Sequence, residues 1–300
     1  MKVAVTGASG LVGSALVPFL AKNGHEVLRL VRRDPREAAE VRWAPDRGEI
    51  DAAALEGVDA VVHLSGENIA GGRWSAARKK RLYDSRIGST RTLARALAAM
   101  NRPPKVLLST SAIGYYGSCG DAWLTESSPA ADDFLGRLAV DWEAAAAPAA
   151  EAGIRVVHPR SGLVLSPAGG ALGKMLLPFR LGLGGVIGPG TQYMSWIAID
   201  DVLGAVQHTL VRDDLQGPFN MVAPEPVTNR EFTKTLGRVL GRPTVAPVPA
   251  FALRLVLGEM AEATLLSSGR VRPDRLQATS FTFRFPALED ALRHVLGKTG

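Results

Sequence analysis

The chain has 300 residues, of which 46% are hydrophobic and 21% charged, so it can bury a full core without disulfides or a structural metal. A single cysteine, Cys119, excludes an intramolecular disulfide and favours a reducing compartment, for which we predict the cytoplasm. The net charge of +6 is spread along amphipathic helices without interleaved aromatics, and we therefore expect no nucleic-acid partner. The scattered histidines and the lack of a long apolar stretch likewise predict no metal site and no membrane span.

Short apolar runs alternate with amphipathic stretches through the first two thirds of the chain. Strands are predicted at Lys2–Thr6, Val27–Val31, Ala60–Leu64, Lys105–Thr110 and Ile154–His158. Helices are predicted over Gly10–Asn23, from Trp74 to Met100 and from Asp132-Asp133 to Glu143. Because uniformly apolar strands are covered by helices on both faces, this alternation predicts an α/β fold with a doubly wound parallel sheet of Rossmann type.

The amino-acid composition changes after about Gly162, where glycines and prolines become frequent. Shorter helices are predicted at Asn229–Leu240, Pro249–Leu257 and Pro286–Leu296. We predict that residues 1–162 form a nucleotide-binding domain and that 163–300 form a smaller mixed α/β substrate lobe. Segments at about 190–225 are expected to cross back to the first domain.

A glycine-rich loop, G-x-x-G-x-x-G, follows the first predicted strand and opens the first predicted helix. Its glycines permit a tight turn, and the free N–H groups at the helix start receive phosphate. The order of strand, loop, helix and second strand predicts a dinucleotide site. Its residues are Gly7, Ser9, Gly10, Leu11, Val12 and Gly13.

The end of the second predicted strand indicates which dinucleotide binds. Val31 is followed by Arg32-Arg33, where an NAD-binding domain usually places an acidic residue. An arginine accommodates the 2′-phosphate of NADP, so the sequence favours NADP(H), although two solvated arginines at a strand end are the alternative. The third apolar run ends in Leu64-Ser65-Gly66, small enough to border the adenine side of the cofactor.

Longer motifs add a resemblance to a known family. The glycine loop, His63-Leu64-Ser65-Gly66 and Ser111-Ala112-Ile113-Gly114-Tyr115-Tyr116-Gly117 resemble the extended short-chain dehydrogenase/reductase superfamily. Trp142-Glu143, Gln192-Tyr193-Met194-Ser195-Trp196-Ile197 and Phe285-Pro286 narrow it to an atypical subfamily, the SDR39U1 or YfcH-like group of epimerase family proteins. The resemblance covers essentially the whole chain.

The resemblance implies NADP(H) binding and a small C-terminal domain at about 245–295. It also adds cofactor positions at Arg86, Pro159, Arg160 and Ser161. Arg86 stands where typical extended members carry asparagine. Ala198 replaces a histidine that relatives carry, which puts any pocket role of that histidine in doubt.

The acid/base residues of typical members are missing. Those members pair a tyrosine with a lysine four residues later on one helix face, and the lysine lowers the pKa of the tyrosine. Here Tyr83, Tyr115, Tyr116 and Tyr193 are followed at that spacing by Ile87, Cys119, Gly120 and Ile197. Hydride chemistry would need another proton source, and Ser111, Tyr115 and Tyr116 are the candidates, with plain packing at a strand end as the alternative.

Two further residues, Glu67 and Trp196, are candidates for the substrate pocket. Asp200-Asp201 stand at the start of a predicted helix, and we interpret them as caps rather than as catalytic carboxylates. Two functions stay open. One is an NADP-dependent oxidoreductase or nucleotide-sugar-epimerase-like enzyme acting on an unidentified small molecule. The other is a non-catalytic NADPH-binding sensor or scaffold that acts through a partner.

Overall fold

The structure is a computed structural model that describes residues 1–298. The strands are β1 (Lys2–Thr6), β2 (Glu26–Val31), β3 (Glu40–Ala44), β4 (Glu49–Ile50), β5 (Ala60–His63), β6 (Val106–Ser109), β7 (Ser111–Ala112), β8 (Trp123–Leu124), β9 (Arg155–Ser161), β10 (Leu163–Leu165), β11 (Tyr193–Met194), β12 (Trp196–Ala198), β13 (Gly217–Met221), β14 (Val227–Thr228) and β15 (Arg270–Val271). The helices are α1 (Leu11–Lys22), α2 (Ala76–Ala98), α3 (Phe134–Ala144), α4 (Ala147–Glu151), α5 (Gly170–Arg180), α6 (Ile199–Val211), α7 (Asn229–Leu240), α8 (Ala250–Leu257), α9 (Asp274–Ala278) and α10 (Leu288–Val295).

The central sheet has the strand order β13-β9-β6-β5-β1-β2-β3-β4, and its pairs are parallel except for the hairpin of β3 and β4. Alternate residues of β1 point to opposite faces. Val3 and Val5 pack with α1 and α6, whereas Ala4 packs with α2 and α4 on the other face. The predicted fold class is confirmed, since both faces of a parallel sheet are covered by helices.

The later part of the chain contributes to two cores. Side chains of α5, β12, α7 and α10, among them Leu176, Trp196, Phe232 and Leu292, form a separate apolar cluster. The strand β13 instead pairs in parallel with β9 at the edge of the central sheet. The C-terminal lobe therefore stands beside the sheet, and the chain returns to the sheet before completing the lobe.

A pair of hydrogen bonds connects the C-terminal part of the chain to α6, which packs on the central sheet. The buried carboxylate of Asp201, in the first turn of α6, accepts backbone N–H groups of Arg284 at 2.7 Å and of Phe285 at 3.1 Å. The interpretation of Asp201 as a helix cap is wrong, because its oxygens are used by this distant segment. Burial acts to raise the pKa of Asp201, and the two N–H groups oppose that shift.

Pro18 lies inside α1 without breaking it. It is exposed, and so is Ser14 one turn earlier, so the carbonyl left without an N–H partner faces water. Within residues 1–298 no helix combines the length and apolarity that crossing a membrane requires.

Candidate functional site

The loop between β1 and α1 leaves no room for side chains at two of its glycines. Gly7 has a φ of +65°, and a Cβ there would lie 2.9 Å from the backbone of Leu64. A Cβ on Gly13 would lie 2.2 Å from the carbonyl oxygen of Gly7, which accepts the N–H of Gly10 at 2.9 Å. The crowding brings the start of α1 directly against the carboxyl ends of β1 and β5.

The first turn of α1 offers unpaired donors. Its N-cap, Gly10, has no side chain to accept them, and no other side chain caps the helix. Ser9 is exposed beside it, and Leu11 and Val12 are half-buried. Free N–H groups and the positive end of the helix dipole suit a pyrophosphate at this position.

The two arginines after Val31 have different surroundings. Arg33 donates to both carboxylate oxygens of Glu40, each at 2.7 Å. This hydrogen bond, helped by the N–H of Arg36, lowers the pKa of Glu40 to about 2. Arg33 is therefore paired with Glu40 in this structure, and its role as a phosphate ligand stays a prediction. Arg32 is exposed and forms no ion pair with the other residues in the described range 1–298, so its guanidinium can turn to a 2′-phosphate.

The end of β5 borders the glycine loop, as its sequence suggests. Leu64 and Ser65 are half-buried, and Gly66 is exposed. The N–H of Leu64 donates to the hydroxyl of Thr6 at 3.1 Å, which fixes the two strand ends together. The pyrophosphate loop and the predicted adenine-side residues thus form one continuous edge of the sheet.

A buried network surrounds Glu143 on α3. The Ser111 hydroxyl donates to Glu143 at 2.7 Å, and Arg160 donates to its two carboxylate oxygens at 2.8 and 2.9 Å. The Tyr116 hydroxyl donates to Asn220 at 2.7 Å and accepts from Arg160 at 3.0 Å. Desolvation acts to lower the pKa of Arg160, but the hydrogen bond and charge of Glu143 outweigh it and shift that pKa upward.

This network occupies the polar groups of three residues with predicted roles, and a fourth, Tyr115, packs against it. Ser111, Tyr116 and Arg160 are each no more than 3% exposed, and their polar atoms are used by one another. Tyr115 packs its ring 3.5 Å from the Arg160 guanidinium. In this structure Ser111, Tyr116 and Arg160 therefore stabilise the sheet edge, while the predicted catalytic role of the half-buried Tyr115 stays a prediction. Of the neighbours of Arg160, Pro159 is buried in β9, and only Ser161 reaches an open space.

That space is a cavity of about 760 Å³ between the carboxyl edge of the sheet and the C-terminal lobe. On the sheet side it is lined by Ala112, Ile113, Gly114, Ser161, Gly162 and Leu163. On the lobe side it is lined chiefly by apolar residues, including Met175, Phe179, Leu183, Met194, Phe232, Val248, Leu257, Met260 and Leu265. Its size is that of a pocket for a small organic molecule.

Helix α3 closes one wall of the cavity with Leu135, Leu138, Ala139 and Trp142. Leu135 and Ala139 are four residues apart on the same face, which is the spacing of the tyrosine and lysine in typical family members. The structure shows that the positions facing the cavity carry no ionisable group on this helix.

Arg86 is a buried cation in the cavity wall. It is 9% exposed, donates to the backbone oxygens of Leu82 at 3.1 Å and Glu67 at 3.0 Å, and stacks 5.0 Å from the Trp142 ring. Burial lowers the pKa of Arg86 to about 10, with the Glu67 charge acting the other way. The guanidinium stays charged at neutral pH, and no carboxylate of residues 1–298 forms an ion pair with it.

The two predicted pocket residues do not line the cavity. The Glu67 carboxylate is 3.4 Å from Arg78, and the next residue, Asn68, lines the cavity instead. Trp196 is fully buried in the lobe core, where its indole N–H donates to the Glu225 carbonyl at 3.0 Å. The pocket prediction for Trp196 is wrong, because pairing of β12 with β10 under α7 and α10 encloses the ring. Ala198 is also buried away from the cavity.

Two residues near the site had no predicted role. Glu143 organises the buried network, and only its place in the Trp142-Glu143 motif pointed to it. Tyr193 lines the cavity with its ring 4.6 Å from the Arg270 guanidinium. Tyr193 was not a catalytic candidate because Ile197, and not a lysine, lies four residues later. Among residues 1–298 no group of three or more His, Cys, Asp or Glu side chains is arranged to hold a metal ion.

Comparisons with known proteins agree with this geometry. The model of the NAD dependent epimerase/dehydratase family matches residues 3–221, and that of a domain of unknown function (DUF1731) matches residues 248–295. The epimerase family protein Mb2239 of Mycobacterium bovis is 45% identical to this chain, with 99% of this chain and 98% of the relative covered.

Solved structures match as well. The crystal structure of human epimerase family protein SDR39U1 with NADPH has a TM-score of 0.92 and 38% identity, with 100% of each chain covered. A nucleoside-diphosphate sugar epimerase from Corynebacterium glutamicum has a TM-score of 0.83 and 37% identity, covering 99% of this chain and 58% of that one.

The uncapped helix, the glycines without room for a Cβ and the unpaired Arg32 define a dinucleotide-binding protein of the extended short-chain dehydrogenase/reductase class. The chain belongs to the NAD dependent epimerase/dehydratase family and, within it, to the SDR39U1-like epimerase family proteins. The resemblance inferred from the motifs is confirmed, and the predicted cofactor agrees with the NADPH of the human relative.

Proposed function

We propose that this protein is an NADP(H)-dependent oxidoreductase that acts on a small molecule held in the 760 Å³ cavity. One observation carries the proposal: the cavity begins at Ser161–Leu163, on the same sheet edge as the glycine loop, and continues into the C-terminal lobe. A dinucleotide lying along that edge has its nicotinamide end directed to the cavity. The single cysteine and the nature of the cofactor support a cytoplasmic enzyme.

Each group of cofactor residues binds a different part of the dinucleotide. The start of α1 receives the pyrophosphate, Leu64 and Ser65 border the adenine side, and Arg32 takes the 2′-phosphate. When bound, NADPH supplies a hydride. The protein's own part is to place the acceptor and to stabilise the charge that develops on it.

Arg86 is the residue we assign to that charge. Its guanidinium is buried in the cavity wall, and its two backbone hydrogen bonds leave further N–H groups for a ligand. Addition of a hydride to a carbonyl carbon puts negative charge on the oxygen, and a fixed cation in a dry site stabilises such charge strongly. Arg86, implied as a cofactor residue by the resemblance, thus serves the substrate in this proposal. Tyr193 is the tyrosine of the cavity wall from which the oxygen can take a proton.

The test is consumption of NADPH by the purified protein with a panel of aldehydes and ketones. Arg86→Met should lower kcat by about a hundred- to a thousand-fold, and Arg86→Lys should restore part of the loss. Lys174→Met changes another cavity cation, which donates to the Ala70 carbonyl at 2.8 Å, and serves as the control. NADPH affinity should change little in all three variants. Equal turnover in Arg86→Met and wild type would overturn the assignment.

A non-catalytic sensor is the second candidate, and one observation favours it. The cavity-facing positions of α3 that match the usual acid/base spacing carry Leu135 and Ala139, which cannot move a proton. A sensor would bind NADPH tightly and never oxidise it. NADPH that stays reduced with every carbonyl compound, while remaining bound, would replace the enzyme proposal with this one.

A further inference from the structure

The walls of the cavity differ from what a nucleotide sugar requires. Such a ligand carries a diphosphate, which needs several cations or backbone donors when it leaves water. Among residues 1–298 the cavity is lined by just two cationic side chains, Arg86 and Lys174. Lys174 donates to the Ala70 carbonyl and lies at the exposed rim of the cavity, so Arg86 is the one buried cation in the described lining that can face a ligand.

The rest of the lining is mostly apolar, although neutral polar residues such as Asn68, Ser161, Tyr193 and Asn229 also contribute to it. Aliphatic and aromatic side chains approach from α3, α5, α7 and the segment after α8, represented by Leu135, Met175, Phe232 and Leu265. At the rim Leu183 is 63% exposed, so apolar surface continues to the mouth of the cavity. An apolar body fills such a space favourably, whereas the charges of a diphosphate would have a single buried cation to pair with.

We propose that the substrate is a largely apolar molecule with one carbonyl or carboxyl group, which lies against Arg86 while the apolar body extends toward α5 and the lobe. The inference rests on the proposed function for the hydride step alone; the choice of ligand follows from the cavity. The buried guanidinium of Arg86 defines where the polar end of the substrate binds, and the apolar walls define where its apolar end binds. This arrangement selects against nucleotide sugars despite the sugar-epimerase fold.

Decanoate and UDP-glucose are the probes for binding, and decanal is the probe for turnover with NADPH. Calorimetry should show decanoate binding to the NADP-loaded protein and binding of UDP-glucose weaker by at least about ten-fold. Ala171→Phe places a ring inside the cavity from α5 and should weaken decanoate by at least about ten-fold. Leu177→Phe makes the same kind of change on the solvent side of α5, where Leu177 is 67% exposed, and should leave decanoate binding unchanged.

Thermal unfolding and NADPH titration of both variants show whether folding and the dinucleotide site are intact. As a second variant, Met175→Glu adds a negative charge to the apolar wall and should also weaken decanoate binding, because it disfavours the apolar body and repels the carboxylate. No decanoate binding, tighter binding of UDP-glucose, or equal decanoate affinity in wild type, Ala171→Phe and Met175→Glu would overturn the inference. Decanoate binding without NADPH oxidation by decanal or any other carbonyl compound would leave the inference standing and refute the oxidoreductase proposal.

Discussion

His63 Nε2 lies 3.0 Å from the hydroxyl of Thr90, and this hydroxyl also accepts the indole N–H of Trp142 at 3.1 Å. On its other side, His63 Nδ1 lies 2.8 Å from the hydroxyl of Thr6. The imidazole thus bridges the end of β1 to α2 and α3 beneath the cofactor edge. Its partners are neutral hydroxyls, so burial is not offset by any carboxylate.

Stability should fall on acidification because of this histidine. Burial lowers the pKa of His63 from 6.5 to about 3, so below pH 6.5 the unfolded chain takes up a proton that the folded chain refuses. The contribution is fully present above pH 6.5 and declines at up to about 1.4 kcal/mol per pH unit below it. In His63→Gln the unfolding free energy should depend less steeply on pH, by the slope that corresponds to uptake of one proton on unfolding. Urea unfolding between pH 6.5 and 5 measures this slope in both proteins.

That range stays above the ordinary value of 4.5 at which Glu40 titrates in the unfolded chain. His158, whose pKa burial also lowers, keeps its own contribution in the variant. The difference in slope between the two proteins is therefore the measured quantity. An unchanged slope in His63→Gln would show that His63 is not held neutral.

Cofactor preference should depend on Arg32. The wild type should bind NADPH at least about ten-fold tighter than NADH, because a charged hydrogen bond to the 2′-phosphate is worth about 1.5–3 kcal/mol. Arg32→Asp should lose most of that preference, since it removes a donor and adds a repelling charge. Arg36→Asp makes the same change of charge on the following loop and should keep it. Fluorescence titration of both cofactors at fixed ionic strength gives the ratio, and equal wild-type affinities would argue against NADP.

Two glycine substitutions should have opposite effects. Gly13→Ala puts a methyl group 2.2 Å from the Gly7 carbonyl, so it should destabilise the protein by about 1–3 kcal/mol and weaken NADPH binding. Gly88→Ala in α2 has nothing within 4 Å of its new methyl group and should stabilise by about 0.5–1 kcal/mol. Chemical unfolding and NADPH titration measure both. A neutral Gly13→Ala would mean that the loop is looser than described.

The network around Glu143 should matter for stability rather than for cofactor choice. Glu143→Gln leaves the buried Arg160 charge without its partner and should cost about 3–5 kcal/mol of unfolding free energy. Lys80→Met breaks an exposed pair with Asp84 and should cost at most about 1 kcal/mol. The ratio of NADPH to NADH affinity should be unchanged in both. A stable Glu143→Gln with altered kcat would instead support Ser111 as a catalytic residue and add Glu143 to the catalytic candidates.

Local patterns in the sequence predicted the elements that depend on local physics. Helix α7 was predicted with the bounds that it has, because Thr228 and Glu231 form a reciprocal cap at its start and Gly241 ends it in a left-handed conformation. The apolar runs predicted five central strands to within a few residues at each end. The strands β3 and β13 escaped prediction, since Glu and Arg interrupt one and Gly-Pro begins the other.

Contacts between residues that are far apart in the sequence could not be predicted from local patterns. Tyr116 and Asn220 meet across 104 positions of sequence, and nothing near Tyr116 reveals that its hydroxyl is already used. Arg33 is likewise committed by Glu40 on a strand that the pattern did not show. The glycine loop was predicted because its chemistry lies within one turn, whereas the cavity was not, because its walls come from many helices, strands and loops that are distant in sequence.

The bond from Asp201 to the backbone of Arg284 and Phe285 has a consequence for how the chain divides. Just before that bond, Leu276, Phe281 and Phe283 cover the apolar face of the sheet on which α1 and α6 pack. A fragment ending at Met221, where the first family match stops, would keep α1 and α6 on that face but would expose the apolar side chains that Leu276, Phe281 and Phe283 cover. The boundary between the two family matches therefore does not coincide with a boundary of the hydrophobic core.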